Sequence, residues 1–454
     1  MKLQTLSLMS TALFLLFSAT ATHAEVSVAE AAKLGKSLTP MGAEMAGNAA
    51  QTIPPWTGGI TKPIAGFKET GHYPDPYASD KPLFVIDASN MEKYKAHLTP
   101  GQMALMKKYP DWKMQVYPTR RSAAFPKGHY DETIANATKA KLAPGGNGVT
   151  GTTGGIPFPI PKDGLEVIWN HLTRYRGDTY AMNWNQAAVT RDGSYTMVRF
   201  EYEYDFHYGN LSKPDKARED NKMLNFLQIV TAPARLAGQI ILVHDPVDQV
   251  KQSRQAWTYN PGQRRVRLAP NIAYDNPGTA ADGLRTSDDF FMFNGATDRY
   301  NWKLLGKQEI YIPYNSYKLV GNTIKYSDVL KPGHLNPAYP RYELHRVWVV
   351  DATLKEGASH IYKRRTFYID EDSWMIMVAD KYDARDQLWR VSEAHSINLY
   401  NIPMTYPMLE VHYDLQSGRY LAMGLRNEEP KVYEPIKRTE ADFTPSGLRG
   451  LGTR

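Results

Sequence analysis

The segment from Tyr195 to Tyr208 reads YTMVRFEYEYDFHY and alternates between two kinds of side chain. From residue 200 onward every second residue is aromatic, and charged residues stand between the rings. The rings are Phe200, Tyr202, Tyr204, Phe206 and Tyr208. Because side chains alternate between the two faces of a strand, this pattern predicts one strand with an aromatic face and a charged face. Five neighbouring rings need an apolar cover, which is either the protein's own core or a ligand.

The sequence after this segment is typical of consecutive strands. Apolar and β-branched runs alternate with turn sequences such as Asn260-Pro261-Gly262 and Asp370-Glu371-Asp372-Ser373. The 29 tyrosines, 9 tryptophans and 30 prolines also favour strands joined by turns over a helical bundle. We therefore predict an α+β fold that is mostly β and built on a large antiparallel sheet.

A helix is predicted over 163–176, directly before the strands. Asp163 and Glu166 have the spacing of a capping box, and Gly177 is expected to end the helix. Its apolar stripe consists of Leu165, Ile168, Trp169 and Leu172.

The chain divides into three predicted parts. Residues 1–24 have the layout of a secretory signal peptide, with Lys2, an apolar run and small residues before a cleavage site after Ala24, or alternatively after Ala21. Residues 25–150 are predicted to form an irregular, partly helical arm that wraps the core. Residues 151–454 are predicted to form the β domain. The expected location is the periplasm.

Composition narrows the classes of function. The chain has no cysteine, so it holds no disulfide. The net charge of +7 is spread along the chain without a long basic block, which makes nucleic acid an unexpected partner.

The sequence contains little that predicts catalysis. It has no cysteine nucleophile and no Gly-x-Ser-x-Gly elbow. Glu201, Glu203, Asp205 and His207 share one strand face, but no zinc-type spacing is present, and we interpret this face as solvated and ion-paired. We therefore expect no enzyme activity, no metal and no cofactor.

The aromatic residues are the better candidates for a binding site. Core packing is the ordinary role of such rings, yet a ring-rich sheet face can also form a groove for an acyl chain. The candidate groove residues are Phe200, Tyr202, Tyr204, Phe206, Tyr208, Trp257, Tyr259, Trp169 and Leu172. The candidate contacts to an anionic head group are Arg174, Arg264 and Arg265.

Several motifs resemble the bacterial family catalogued as domain of unknown function 1329. They are spread over nearly the whole chain after residue 24. The matching segments are LTPMGAE at 38–44, TIPPWTGG at 52–59, GGIPFPIP at 154–161, RYRG at 174–177, RRVR at 264–267, GLRTSDD at 283–289 and YIDEDSW at 368–374.

This resemblance implies a fold similar to that of LolA-like periplasmic proteins, which sort and carry lipoproteins. In that fold a curved antiparallel half-barrel has helices plugging its concave face, where acyl chains are carried. Members of the family are associated with genes for efflux-type transporters and outer-membrane proteins. No catalytic residue is established for the family, so none is transferred.

The predicted function is that of a periplasmic carrier for a lipid, a lipoprotein acyl chain or another long apolar molecule, without catalysis. The alternative is an envelope scaffold that docks onto a transporter or an outer-membrane partner. A periplasmic hydrolase is the less favoured third interpretation.

Overall fold

The structure is a computed structural model that describes residues 26–270 and 272–452. The strands are β1 (Phe84–Ile86), β2 (Met114–Val116), β3 (Lys141–Leu142), β4 (Val149–Thr150), β5 (Thr179–Asn183), β6 (Asn185–Val189), β7 (Met197–Phe206), β8 (Lys222–Ala232), β9 (Ile240–Pro246), β10 (Gln255–Asn260), β11 (Arg265–Leu268), β12 (Tyr300–Pro313), β13 (Tyr342–Leu354), β14 (Arg364–Asp370), β15 (Ile376–Tyr382), β16 (Leu388–Asn398), β17 (Thr405–Asp414) and β18 (Arg419–Leu425). The α-helices are α1 (Val28–Ala31), α2 (Met91–Tyr94), α3 (Pro100–Lys108), α4 (Lys127–Asn136), α5 (Gly164–Thr173), α6 (Lys216–Asp220), α7 (Tyr317–Val320), α8 (Tyr326–Val329) and α9 (Pro445–Gly452).

Sixteen of these strands form one large sheet. Its central run has the order β12-β13-β14-β15-β16-β17-β18-β6-β7-β8-β9-β10-β11, and each neighbour in this run is antiparallel. The sheet is mixed rather than purely antiparallel, because β2 meets β13 in a single parallel pair, Tyr342 with Val116. The predicted mostly β fold with a large open sheet is confirmed.

The predicted aromatic strand is β7, and the register extends its two faces across the sheet. Tyr204 pairs with Phe226 of β8, and Phe226 pairs with Val243 of β9. We call the face with these residues the inner face. On the opposite or outer face, Glu203 pairs with Leu227, and Leu227 pairs with Leu242.

Helix α5 packs against β12 and β13 of the sheet. The Asp163 carboxylate caps α5 by accepting a hydrogen bond from the backbone N–H of Glu166 at 2.9 Å, as its sequence predicts. The helix ends at Thr173, three residues before the predicted end, because Arg174 adopts an extended ψ of 149°. The chain therefore leaves the helix with Arg174 and Arg176 in an extended segment.

Other segments cover the outer face. At the start of α3 the backbone N–H of Gly101 donates to the carboxylate of Asp380 on β15 at 3.1 Å. A Cβ at residue 101 would lie 2.0 Å from that carboxylate, so the close approach requires glycine. At the other end of the sheet, Leu448 of α9 packs in an apolar cluster with Leu227 and Leu242.

The described part of the N-terminal segment shares the core of the large sheet. Leu105, Met106, Trp112 and Met114 are at most 3% exposed and belong to the same apolar cluster as the side chains of β13 to β18. The predicted signal peptide lies outside the described residues.

Candidate functional site

The four rings of β7 are buried on the inner face and contact rings from elsewhere in the chain. Phe200, Tyr202, Tyr204 and Phe206 are at most 3% exposed. Tyr202 stacks on Trp184 with ring centroids 5.6 Å apart, and Tyr204 lies 5.0 Å from Tyr180. The fifth ring, Tyr208, follows the strand, and its hydroxyl donates to the carbonyl of Gly155 at 2.9 Å. Much of the aromatic stripe is therefore the protein's own core.

A loop between β11 and β12, residues 273–297, covers this part of the inner face. The Phe290 ring lies 5.9 Å from the Tyr202 ring, and the Phe291 ring lies 6.1 Å from the Tyr204 ring. Phe291 and Met292 have positive φ angles of 53° and 67°, an uncommon conformation for such residues that places both side chains in the interior. We call residues 273–297 the cover loop.

Two buried acids attach the cover loop to the sheet. The Asp288 carboxylate lies 2.9 Å from the Arg365 guanidinium, and the Asp289 carboxylate lies 2.8 Å from the Lys381 ammonium. All four side chains are at most 2% exposed. Burial alone raises the pKa of Asp289, but Lys381 and neighbouring cations overcome this effect and hold the pKa well below its usual range.

A cavity of about 90 Å³ lies between the cover loop, the end of α5 and strands β7 to β9. Its walls combine apolar side chains with arginines, and we call it the arginine cavity. The predicted site residues Tyr204, Leu172 and Arg174 line it. Its other lining residues include Arg176, Met223, Phe226, Ile241, Val243, Arg285, Phe290 and Phe291.

Burial lowers the pKa values of two arginines that line the arginine cavity. Arg174 and Arg176 are 3% and 6% exposed. Burial, assisted by the neighbouring Arg176, lowers the pKa of Arg174 to about 9, so its guanidinium stays charged at neutral pH. Burial also lowers the pKa of Arg176. The Arg176 guanidinium lies over the rings of Phe206 and Phe291, 4.9 and 5.2 Å from their centroids.

A second cavity of about 400 Å³ lies close to the first. Three methionines contribute to its mostly apolar wall, so we call it the methionine cavity. Exposed Glu69 and Thr179 lie at its mouth. Other lining residues include Tyr180, Met182, Leu399, Ile402, Met404, Tyr406 and Met408. Since Tyr180 lines this cavity and Tyr204 lines the arginine cavity, one pair of tilted, contacting rings stands between the two.

The remaining predicted site residues lie elsewhere. Trp257 and Tyr259 are on the outer face, where Tyr259 is buried against α9, so they do not share a face with the rings of β7. Arg264 and Arg265 are exposed at the turn between β10 and β11. Trp169 is fully buried in α5, and its indole N–H donates to the carbonyl of Gly146 at 2.9 Å.

The charged face of β7 differs from its prediction. It is not solvated: Glu203 and Asp205 are 1% and 4% exposed. Arg438, from the segment before α9, pairs with Glu201 and Glu203, while the ammonium of Lys216 lies 2.9 Å from Asp205. The acids are therefore ion-paired as expected, but with residues of the covering segments.

His207 borders an open polar depression of about 660 Å³ on this side of the sheet. One ring nitrogen lies 3.0 Å from Asp205 and the other lies 2.7 Å from Asp220. Burial lowers the pKa of His207, but the two carboxylates outweigh burial and raise it overall. Because a carboxylate lies within 3.0 Å of each ring nitrogen, this arrangement favours the protonated ring over the neutral ring that a general base requires.

This pairing leads to a prediction for the pH dependence of stability. Because the pKa of His207 is higher in the folded state, its contribution is fully present below the unfolded pKa of about 6.5 and is lost as the pH rises through the folded pKa. We expect His207→Gln to lower the free energy of unfolding more at pH 6 than at pH 9. Urea denaturation at both pH values measures this difference, and an equal loss at both would contradict the pairing.

One group of described residues has donor atoms arranged as in a metal site. Atoms of His345, Asp370 and Asp372 lie within 4.8 Å of one another. The Arg121 guanidinium donates two hydrogen bonds to the Asp372 carboxylate, at 2.9 and 2.6 Å. His345 also contacts Glu343 at 3.1 Å. We interpret this group as an ion-pair network between the N-terminal segment and the β14–β15 turn.

Several residues of the two cavities were not found from the sequence. Arg176 and Arg285 line the arginine cavity, and Tyr180 and Tyr406 line the methionine cavity. Arg174-Tyr175-Arg176 directly follows an apolar helix, and this sequence is the signal from which the arginine pair could have been found. The methionines have no comparable signal, because they come from separate strands and a loop.

Fold and cavities together define a mostly β protein with a large open sheet and cavities on its inner face. The chain belongs to the family described as protein of unknown function (DUF1329), whose family model matches residues 85–449. An uncharacterized protein of Pseudomonas aeruginosa is 53% identical over 438 residues, which is 96% of each chain. The family indicated by the sequence motifs is thus confirmed.

Three of the solved structures that the chain matches are the following. A DUF1329 family protein from Desulfovibrio piger is 14% identical, with 60% of this chain and 91% of that chain covered and a TM-score of 0.41. A domain from Vibrio parahaemolyticus, described as an outer membrane lipoprotein-sorting protein, is 12% identical, with coverages of 63% and 98% and a TM-score of 0.43. A LolA superfamily protein from Nitrosomonas europaea is 14% identical, with coverages of 63% and 98% and a TM-score of 0.37.

Helices of the described residues are all too short or too polar to cross a membrane.

Proposed function

We propose that the protein is a periplasmic binding protein for a long apolar molecule, such as the acyl chain of a lipid or lipoprotein, and that it performs no chemistry on this ligand. The methionine cavity is the observation that carries the proposal. Its volume of about 400 Å³ lies in the range of about 300–1,000 Å³ that is usual for ligand sites. Its wall is mostly apolar, which suits an acyl chain.

The composition of the cavity wall supports this role. Met182, Met404 and Met408 have unbranched, flexible side chains that adapt to ligands of different shape. Tyr180 and Tyr406 contribute rings with one polar end each, and their hydroxyls lie 3.4 Å apart. Such a surface can contact an apolar chain without requiring polar groups at fixed positions of the ligand.

The structure offers little support for catalysis at these cavities. Cysteine is absent from the sequence. Asp245 of the arginine cavity is held by Arg254 at 2.7 Å, and each ring nitrogen of His207 at the polar depression has a carboxylate within 3.0 Å. Binding without chemistry is therefore the function that the arranged groups favour.

The test uses the full mature chain and a fluorescent long-chain fatty acid as probe. Ile402 is half-buried in the turn before β17 and lines the methionine cavity, so Ile402→Trp is expected to fill part of the cavity and weaken probe binding about tenfold or more. Ile324→Trp, at a half-buried residue of another loop, is the matched control and should leave binding unchanged.

Saturable binding that is weakened by Ile402→Trp alone supports the proposal. Failure of the unmodified protein to bind the probe would contradict it. If the protein instead co-purified with a membrane complex and carried no lipid, the docking scaffold would be the better account.

A further inference from the structure

We propose that the arginine cavity binds the anionic head group, a carboxylate or a phosphate, of an amphiphile whose chain occupies the methionine cavity. This inference rests on the proposed function and specifies its class of ligand. It is carried by two buried arginines that have neither a carboxylate partner within ion-pair distance nor a full set of hydrogen bonds among the described residues.

The guanidinium groups of Arg174 and Arg176 are incompletely satisfied. Nε and Nη2 of Arg174 and Nε of Arg176 are buried without a hydrogen-bond partner within the described chain. The hydrogen bonds that they do make include those to neutral backbone carbonyls, from Arg174 to His171 at 2.6 Å and from Arg176 to Leu172 at 3.2 Å. Buried donors almost always have partners, and a buried cation is stable mainly when it is paired.

A third cation faces the same cavity. Arg285 of the cover loop is 5% exposed, and its Nη1 donates to the carbonyl of Thr286 at 3.0 Å. Its Nε has no partner within the described residues. Besides Arg254, which is paired with Asp245, the cavity thus presents three guanidinium groups from two segments, the residues directly after α5 and the cover loop.

Nearby acids do not balance these charges. Asp245 already lies 2.7 Å from Arg254 in a hydrogen-bonded pair. Glu410 accepts a hydrogen bond from the backbone N–H of Met292. Burial raises the pKa of Glu410 to about 7, so part of the Glu410 population is uncharged at neutral pH. The three guanidinium groups therefore exceed the available negative charge.

An anionic head group matches this arrangement chemically. Carboxylate and phosphate oxygens accept hydrogen bonds from guanidinium groups in the planar geometry that arginine provides. The cavity of about 90 Å³ is small, as a head group requires, and the rings of Tyr204, Phe226, Phe290 and Phe291 line it. The Tyr180 and Tyr204 rings, with centroids 5.0 Å apart, separate it from the methionine cavity. An amphiphile that occupies both cavities therefore requires the Tyr180 side chain to move when it binds.

Competition against the fluorescent fatty acid probe tests the inference with palmitate, hexadecyl phosphate, hexadecanol and inorganic phosphate. We expect palmitate and hexadecyl phosphate to displace the probe at concentrations about tenfold or more below that of hexadecanol, since a buried hydrogen bond to a charged group has this order of strength. Arg176→Met should remove this preference, whereas Arg385→Met, in the exposed β15–β16 turn, should retain it.

Thermal unfolding separates binding from a structural role. Because Arg176→Met removes a buried charge without an ion-pair partner, its unfolding temperature should be unchanged or raised. Arg365→Met, which removes the partner of buried Asp288, should lower the unfolding temperature. A lower unfolding temperature for Arg176→Met together with an unchanged preference for palmitate would assign Arg176 a structural role and overturn the inference.

The outcomes also distinguish this inference from the proposed function. If hexadecanol displaces the probe as well as palmitate does, a chain site exists and the head-group assignment alone fails. If inorganic phosphate displaces the probe by itself, the arginines serve a free anion and the assignment also fails. If none of the long-chain compounds binds, the proposed function fails.

Discussion

Asp289→Asn is expected to lower the free energy of unfolding by about 3–5 kcal/mol, because it leaves the buried ammonium of Lys381 without its charged partner. Both side chains are 0% exposed and lie 2.8 Å apart. Asp289 also accepts hydrogen bonds from the Tyr362 hydroxyl at 2.9 Å and from the Thr286 backbone at 3.1 Å. The loss should appear in urea denaturation monitored by tryptophan fluorescence.

The pH dependence of this variant gives a second measurement. Since the pKa of Asp289 is depressed in the folded state, its contribution to stability is present above the unfolded pKa of about 3.9 and is lost as the pH falls through the folded pKa. The unmodified protein should therefore lose more stability on acidification than Asp289→Asn does. The cover loop should also loosen in the variant, which increased binding of an apolar dye would report.

Two controls restrict the interpretation of Asp289→Asn. Asp282→Asn removes an exposed partner of Arg419 in the same loop and should change stability by about 0–1 kcal/mol. The double variant Asp289→Asn/Lys381→Met removes both charges and should recover part of the loss. A single-variant loss below about 1 kcal/mol would mean that Lys381 is not held by Asp289.

Arg121→Met is expected to destabilise the protein by a similar amount, about 3–5 kcal/mol, because Asp372 then remains buried without its guanidinium partner. Arg121 and Asp372 are each 2% exposed at the side chain, and Glu371 lies 3.5 Å from the same guanidinium. Arg121 also donates to the carbonyl of Glu44 at 2.8 Å, so the change should release residues around 44 from the β14–β15 turn.

Arg120, the residue next to Arg121, provides a matched control for Arg121→Met. Arg120 pairs with Asp80 at 2.7 Å, but its side chain is 43% exposed, so Arg120→Met should cost about 0–1 kcal/mol. Limited proteolysis should cut the N-terminal segment faster in Arg121→Met than in Arg120→Met. Equal cleavage and equal stability of the two variants would show that the buried network does not hold this segment.

Local patterns in the sequence predicted the elements but not how their faces combine. The alternation of rings at 200–206 correctly predicted β7, and the spacing of Leu165, Trp169 and Leu172 correctly predicted α5. Trp257 and Tyr259 also alternate as in a strand, and β10 is a strand. Which face of the sheet they occupy depends on how β10, β9, β8 and β7 pair. Trp257 pairs with Leu242, Leu242 with Leu227, and Leu227 with Glu203, and local sequence does not specify this register.

The residues of the arginine cavity were harder to predict than the strands and helices, because they come from parts of the chain that are distant in sequence. Arg174 was proposed as a head-group contact and lines the arginine cavity, whereas exposed Arg264 and Arg265 do not. Among the described residues, Asp288 and Asp289 have no ion-pair partner nearby in the sequence, and only the fold shows that they pair with Arg365 and Lys381 of distant strands. Burial of a charge depends on the whole chain rather than on its neighbours in sequence.

A crystal structure of the protein with palmitate is the most direct test of the central claim. We expect a carboxylate oxygen within about 3 Å of a guanidinium nitrogen of Arg174 or Arg176, with the chain running into the methionine cavity. A palmitate bound at another surface, or both cavities empty at a saturating palmitate concentration, would contradict it.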